Sequence, residues 1–189
     1  MLRVFCLLPF IIVIAPLVII GTALLLTFQG SPGACGNGRP LAANASLADQ
    51  YSQQWTAFER QLSAGRAATL TVSDDEATAR LRQFLSGNRA PVKNARLCFV
   101  NGGAEVSGDI SAPFGGDVAV RVRGSVDLSG AHPQTHIDSI RIGGLPSFVT
   151  GPFRGLVTRI IDHQSRQVTL DHSVAVQLSD GKATLSGGR

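Results

Sequence analysis

Of the 189 residues, 44% are apolar, and 17 basic against 13 acidic side chains leave a formal net charge of +4. Twenty of the 25 residues from 4 to 28 are apolar, and none of these 25 is charged. No second run approaches the roughly 20 apolar residues a spanning helix needs, which excludes a polytopic membrane protein. The low hydrophobicity and high net charge of disordered chains are also missing.

As a helix rising about 1.5 Å per residue, residues 4–28 are long enough to cross a hydrocarbon layer of about 30 Å. Pro9 and Pro16 each remove a helical hydrogen bond, a break that membrane helices tolerate when neighbouring groups compensate. The run is longer than the usual apolar core of a cleaved signal peptide and lacks an A-x-A site, so a retained anchor is favoured over cleavage. Arg3 and the amino terminus supply positive charge before the span, whereas the first charge after it is Arg39. This bias predicts a single-pass protein of the cell membrane with its C-terminal domain extracytoplasmic. The expected division is an anchor over residues 1–30, a Pro- and Gly-bearing linker over 31–45, and a domain over 46–189.

Cys6 lies in the anchor, which leaves Cys35 and Cys98 outside it. Two arrangements are open: one disulfide in an oxidising compartment, or a buried free Cys98 with Cys35 in a flexible linker.

Leu47, Tyr51, Trp55, Phe58 and Leu62 recur at steps of three and four, which predicts an amphipathic helix carrying its aromatic residues on one stripe. Residues 67–72 read as a short strand. Ser73, followed three positions later by Glu76, is a capping-box pattern, and Asp74 and Asp75 add negative charge at the positive end of a helix dipole. A second helix is expected over 74–86, with Ala77, Leu81, Phe84 and Leu85 inward and Gly87 ending it.

The period then changes to two. Ala95, Leu97 and Phe99 alternate with Asn94, Arg96 and Cys98, and Val118, Val120, Val122, Val126 and Leu128 alternate with polar neighbours. This predicts antiparallel strands with an apolar face buried and a polar face in water. Gly102-Gly103 and Gly115-Gly116 fall between strands at hairpin spacing. Residues 135–142 continue the pattern.

After Gly143-Gly144-Leu145-Pro146, a helix is expected over 147–164. Its apolar stripe includes Phe148, Val149, Phe153, Leu156, Val157, Ile160 and Ile161. Residues 168–170 and 174–178 read as strands, and Asp180-Gly181 is a strong two-residue hairpin signal. The order predicts an α+β fold in which a curved antiparallel sheet wraps apolar helices, preceded by an N-terminal transmembrane helix.

Few residues suggest chemistry. The cluster Asp74-Asp75-Glu76 has a capping explanation. His132, His136 and Asp138 fall on one face of a strand, but their spacing matches no zinc pattern, and they are read as solvent-exposed. No nucleophile elbow, P-loop or dinucleotide fingerprint is present, so no cofactor, no metal and no enzyme is expected. The positive charge is too small and dispersed for nucleic acid. Arg121, Arg123 and Arg141 share the polar sheet face, where anionic head groups are one partner and plain solvent is the favoured alternative.

Several short segments carry a resemblance: Ser73-Asp74-Asp75-Glu76 at a helix start, Val106-Ser107-Gly108, Val122-Arg123-Gly124, Ile140 to Pro146, and the Leu178-Ser179-Asp180-Gly181-Lys182 hairpin. Over residues 70–187 the chain resembles the YpmS-like membrane-anchored bacterial proteins of unassigned function and, more distantly, tubular lipid-binding (TULIP) domains. The resemblance implies a non-catalytic domain that takes up a lipid. The expected function is binding of a lipid or other apolar ligand near the membrane, with Phe148, Phe153, Leu156, Val157, Ile160 and Ile161 as the binding residues. The alternative is an anchored, non-enzymatic subunit of an envelope complex that holds a protein partner.

Overall fold

A computed structural model of the chain describes Cys35 and residues 40–111, 116–145 and 171–188. The expected anchor, the helix over 147–164 with its six ligand-binding candidates, and the strand over 168–170 lie outside the described residues. Among the described residues, no helix is long and apolar enough to cross a membrane.

The described part is α+β, with two helices and two antiparallel sheets. Helix α1 (Ala45–Ser63) starts at Asn44, whose side chain accepts from the Leu47 amide, and so satisfies one of the first-turn donors that no helical carbonyl can reach. It ends where Gly65 turns to φ +70° and the Arg66 amide reaches back to the Gln61 carbonyl. Phe58 and Leu62 of its apolar stripe are buried, and Tyr51 and Trp55 pack against the core from the same side. Strand β1 (Ala68–Ser73) follows, with Ala68, Leu70 and Val72 buried and Thr69 and Thr71 exposed.

Helix α2 (Asp74–Gly87) opens with the expected capping box: the Glu76 amide donates to Ser73 Oγ while the Glu76 carboxylate accepts from the Ser73 amide. It ends on Gly87, as expected, but the left-handed position falls two residues later, on Arg89 at φ +51°, and the Ala90 amide closes the turn on the Leu85 carbonyl.

The strands β2 (Val92–Val100), β3 (Gly103–Ser111), β4 (Asp117–Asp127) and β5 (Gln134–Ile142) form a meander in chain order. Strands β6 (Val174–Ser179) and β7 (Lys182–Gly187) join through Asp180-Gly181, with Gly181 at φ +77°, and β7 pairs with β1 to give the order β1-β7-β6. The single expected sheet is therefore two sheets. They meet where Leu128, just past β4, bridges to Val174 at the start of β6.

Three hydrogen bonds around Gly181 fasten the other junction. Gly181 donates to the Phe99 carbonyl and accepts from the Asp74 amide, while Asp74 Oδ1 accepts from the Phe99 amide. The hairpin tip, the start of α2 and β2 thus close on one another. The core gathers Phe58 and Leu62 of α1, Ala77 of α2, Ala68, Leu70 and Val72 of β1, Val174 of β6, and Ala183 and Leu185 of β7. Burying each of the leucines contributes about 1.5–3 kcal/mol.

Candidate functional site

The four-stranded sheet presents one apolar face. Its register aligns Leu97, Val106, Val122 and Ile140 in one row and Phe99, Ala104, Gly124 and Ile137 in the next. The periodicity of β2 and β4 predicts this face buried and its reverse wet, and on β3, which pairs between them, the burial runs the other way. Glu105 and Ser107 on the polar side are buried, whereas Val106 and Ile110 are 38% and 40% exposed.

Two features account for the inversion. On the polar side Cys98 is bonded to Cys35, with Cα atoms 5.9 Å apart, so of the two arrangements open from sequence the structure contains the disulfide. Beside it the buried Glu105 carboxylate takes charge-assisted hydrogen bonds from the Arg121 guanidinium, and Arg123 approaches to 3.8 Å. Two of the three arginines suggested as an anion patch are thereby engaged by a neighbouring carboxylate. On the apolar side Ile137 and Ile140 are buried, while Leu97, Phe99 and Ala104 border an open space.

That space is a cleft of about 430 Å³ between the two sheets. Leu97, Phe99, Ala104, Val126 and Leu128 form one wall, and Val72, Val176, Leu178, Ala183 and Leu185 form the other. Helix α2 contributes Ala77, Arg80, Leu81 and Phe84, spaced three and four apart along one stripe, and α1 contributes Tyr51. Phe84, expected inward, is 61% exposed, because α2 directs a different stripe at β2. Its apolar ring remains at the cleft wall. The volume falls in the range of about 300–1,000 Å³ typical of small-molecule sites.

Among the described residues, only Tyr51 and Arg80 bring polar side-chain groups to this lining. The Tyr51 ring stacks on Trp55 at a centroid distance of 6.2 Å, and Trp55 in turn lies 5.9 Å from Phe58. Burial raises the Tyr51 phenol above its ordinary value, the Arg80 charge opposes that rise, and Glu59 adds to it.

The remaining candidates do not assemble into a reactive site. The caps and strand contacts already described occupy Asp74 and Glu76. His136 Nε2 lies 3.6 Å from Asp138, and among the described residues no group of three or more His, Cys, Asp or Glu side chains is placed to hold a metal ion. The six binding residues expected from sequence cannot be placed relative to the cleft, since they lie outside the described residues. Sequence reasoning missed the cleft because its lining comes from eight elements, and each apolar residue there reads singly as core. The one available signal was the Tyr51 and Arg80 pair on helix stripes otherwise apolar. No family model, curated protein or solved structure matches the chain, so the reading of this site rests on its own geometry.

Proposed function

We propose that this chain is a binding protein that takes up a lipid or other apolar molecule in the cleft between its two sheets, held outside the membrane by an anchor over residues 4–28. The observation that carries this reading is the cleft, whose lining is apolar apart from Tyr51 and Arg80. Burial of an apolar chain there removes its surface and that of the lining from water, at about 25 cal/mol per Å². The more distant resemblance to TULIP domains supports the same role.

The single tryptophan of the chain makes a direct test possible. The full-length protein, kept soluble in an amphipol, is titrated with a brominated octadecanol, and quenching of Trp55 is followed. Saturable quenching is expected, and Ala104→Phe, which places a ring in the cleft, should weaken it at least about tenfold. Quenching that does not saturate, or that is equal in both proteins, overturns the reading.

A further inference from the structure

Among the described residues, the cleft lining carries one charged side chain, Arg80. Arg80 shares the cleft-lining stripe of α2 with Ala77, Leu81 and Phe84, and its guanidinium donates to Gln83, a neutral acceptor one turn ahead. Among the described residues Arg80 forms no ion pair. The carboxylates on the neighbouring helix faces have other partners: Glu59 accepts from the Trp55 indole, Glu76 from Ser73 and Gln54, and Asp75 from the Ala42 amide. The positive charge also acts on Tyr51 of the neighbouring helix, where it opposes the effect of burial on the phenol.

An arginine whose stem lies along an apolar wall while its head stays exposed is placed to meet a ligand that is apolar at one end and charged at the other. Its planar fork matches a carboxylate or a phosphate through two parallel N–H···O bonds. The Tyr51 hydroxyl supplies a further donor on the same lining. We propose that the occupant is a single-chain amphiphile with an anionic head, its hydrocarbon chain in the cleft and its head on Arg80. The proposal rests on the cleft reading above and narrows it to a ligand class. A carboxylate and a phosphate monoester share the chemistry that Arg80 recognises.

The test compares three brominated ligands of equal chain length on the full-length protein at low ionic strength: the alcohol, the fatty acid and the lysophosphatidate. Both acids are expected to quench Trp55 at concentrations about three- to tenfold below the alcohol. Arg80→Gln should weaken both acids about three- to tenfold more than it weakens the alcohol, and Arg80→Lys should restore part of that difference. The tighter of the two acids then identifies the head group. Equal binding of all three ligands, or an equal loss of all three in Arg80→Gln, overturns the anionic head while the apolar cleft stands. Failure of all three to saturate removes the cleft reading and this one together.

Discussion

The Thr78 hydroxyl donates to the Leu97 carbonyl and accepts from the Leu97 amide, both at 2.9 Å, so one side chain occupies both backbone groups that β2 offers at that residue. The arrangement continues along the helix. Asp74, one turn earlier, accepts from the Phe99 amide, and Arg82, one turn later, donates to the Ala95 carbonyl. Four residues of helix advance about 6 Å and two residues of strand about 6.8 Å, so a helix stripe can stay in step with every second residue of a strand. Strand β2 is the edge of its sheet, and α2 covers that edge as a surrogate strand built of side chains.

Thr78→Val keeps the shape of the side chain and leaves the Leu97 amide and carbonyl buried without partners. Each such group costs about 1–3 kcal/mol, so a loss of about 2–6 kcal/mol is expected. Urea unfolding should show a lower midpoint at unchanged slope. Thr78→Ser, which retains both hydrogen bonds, should lose at most about half as much.

Tyr51 is the only tyrosine in the chain, so its ionisation can be followed by tyrosinate absorbance without interference. Burial holds the phenol above its ordinary value of 10.0. The folded chain therefore keeps this proton more tightly than the unfolded chain. The resulting stability is complete below the ordinary value and declines as pH rises through it towards the folded value. Tyr51→Phe should remove this alkaline decline. Arg80→Gln should move the titration further upward, because the arginine charge favours the phenolate.

Arg89 occupies the left-handed turn after α2, at φ +51°, where a side chain costs about 1 kcal/mol relative to glycine. Arg89→Gly should raise stability by about 0.5–1 kcal/mol, after allowance for the greater freedom of glycine in the unfolded chain. Arg89→Val should lower it. Denaturation midpoints of the two variants on opposite sides of the parent are the expected result.

The Cys35–Cys98 bond spans 63 positions of sequence, and restricting the unfolded chain over that interval contributes up to about 4 kcal/mol. Cys35→Ser with Cys98→Ser should therefore unfold at a lower urea concentration than the oxidised parent and match the reduced parent. Mass analysis of an unreduced proteolytic digest should recover the two cysteine peptides joined.

Local signals in the sequence carried much of this architecture. The Ser73 and Glu76 box, the stripe from Tyr51 to Leu62 and the Asp180-Gly181 turn each depend on residues a few positions apart, and each element stands where its pattern puts it. Features made by distant partners were hidden. Phe84 reads as inward by apolar spacing, yet Asp74, Thr78 and Arg82 take the inner side of α2 because the edge of β2 needs hydrogen bonds there. Glu105 is buried beside the two arginines that compensate it, and these come from the neighbouring strand β4. The cleft was hidden for the same reason, since its walls join only after both sheets have formed.

The disulfide has a mechanical consequence. Tension applied through the chain before Cys35 passes directly into Cys98, in the middle of β2, and bypasses residues 36–97. Helix α1, strand β1 and helix α2, which supply one side of the cleft, are then shielded from the pull. The load falls on β2, where the hydrogen bonds to β3 and to α2 share it across their length. Under the proposed anchoring, a pull from the membrane side would therefore spare the side of the cleft formed by α1, β1 and α2.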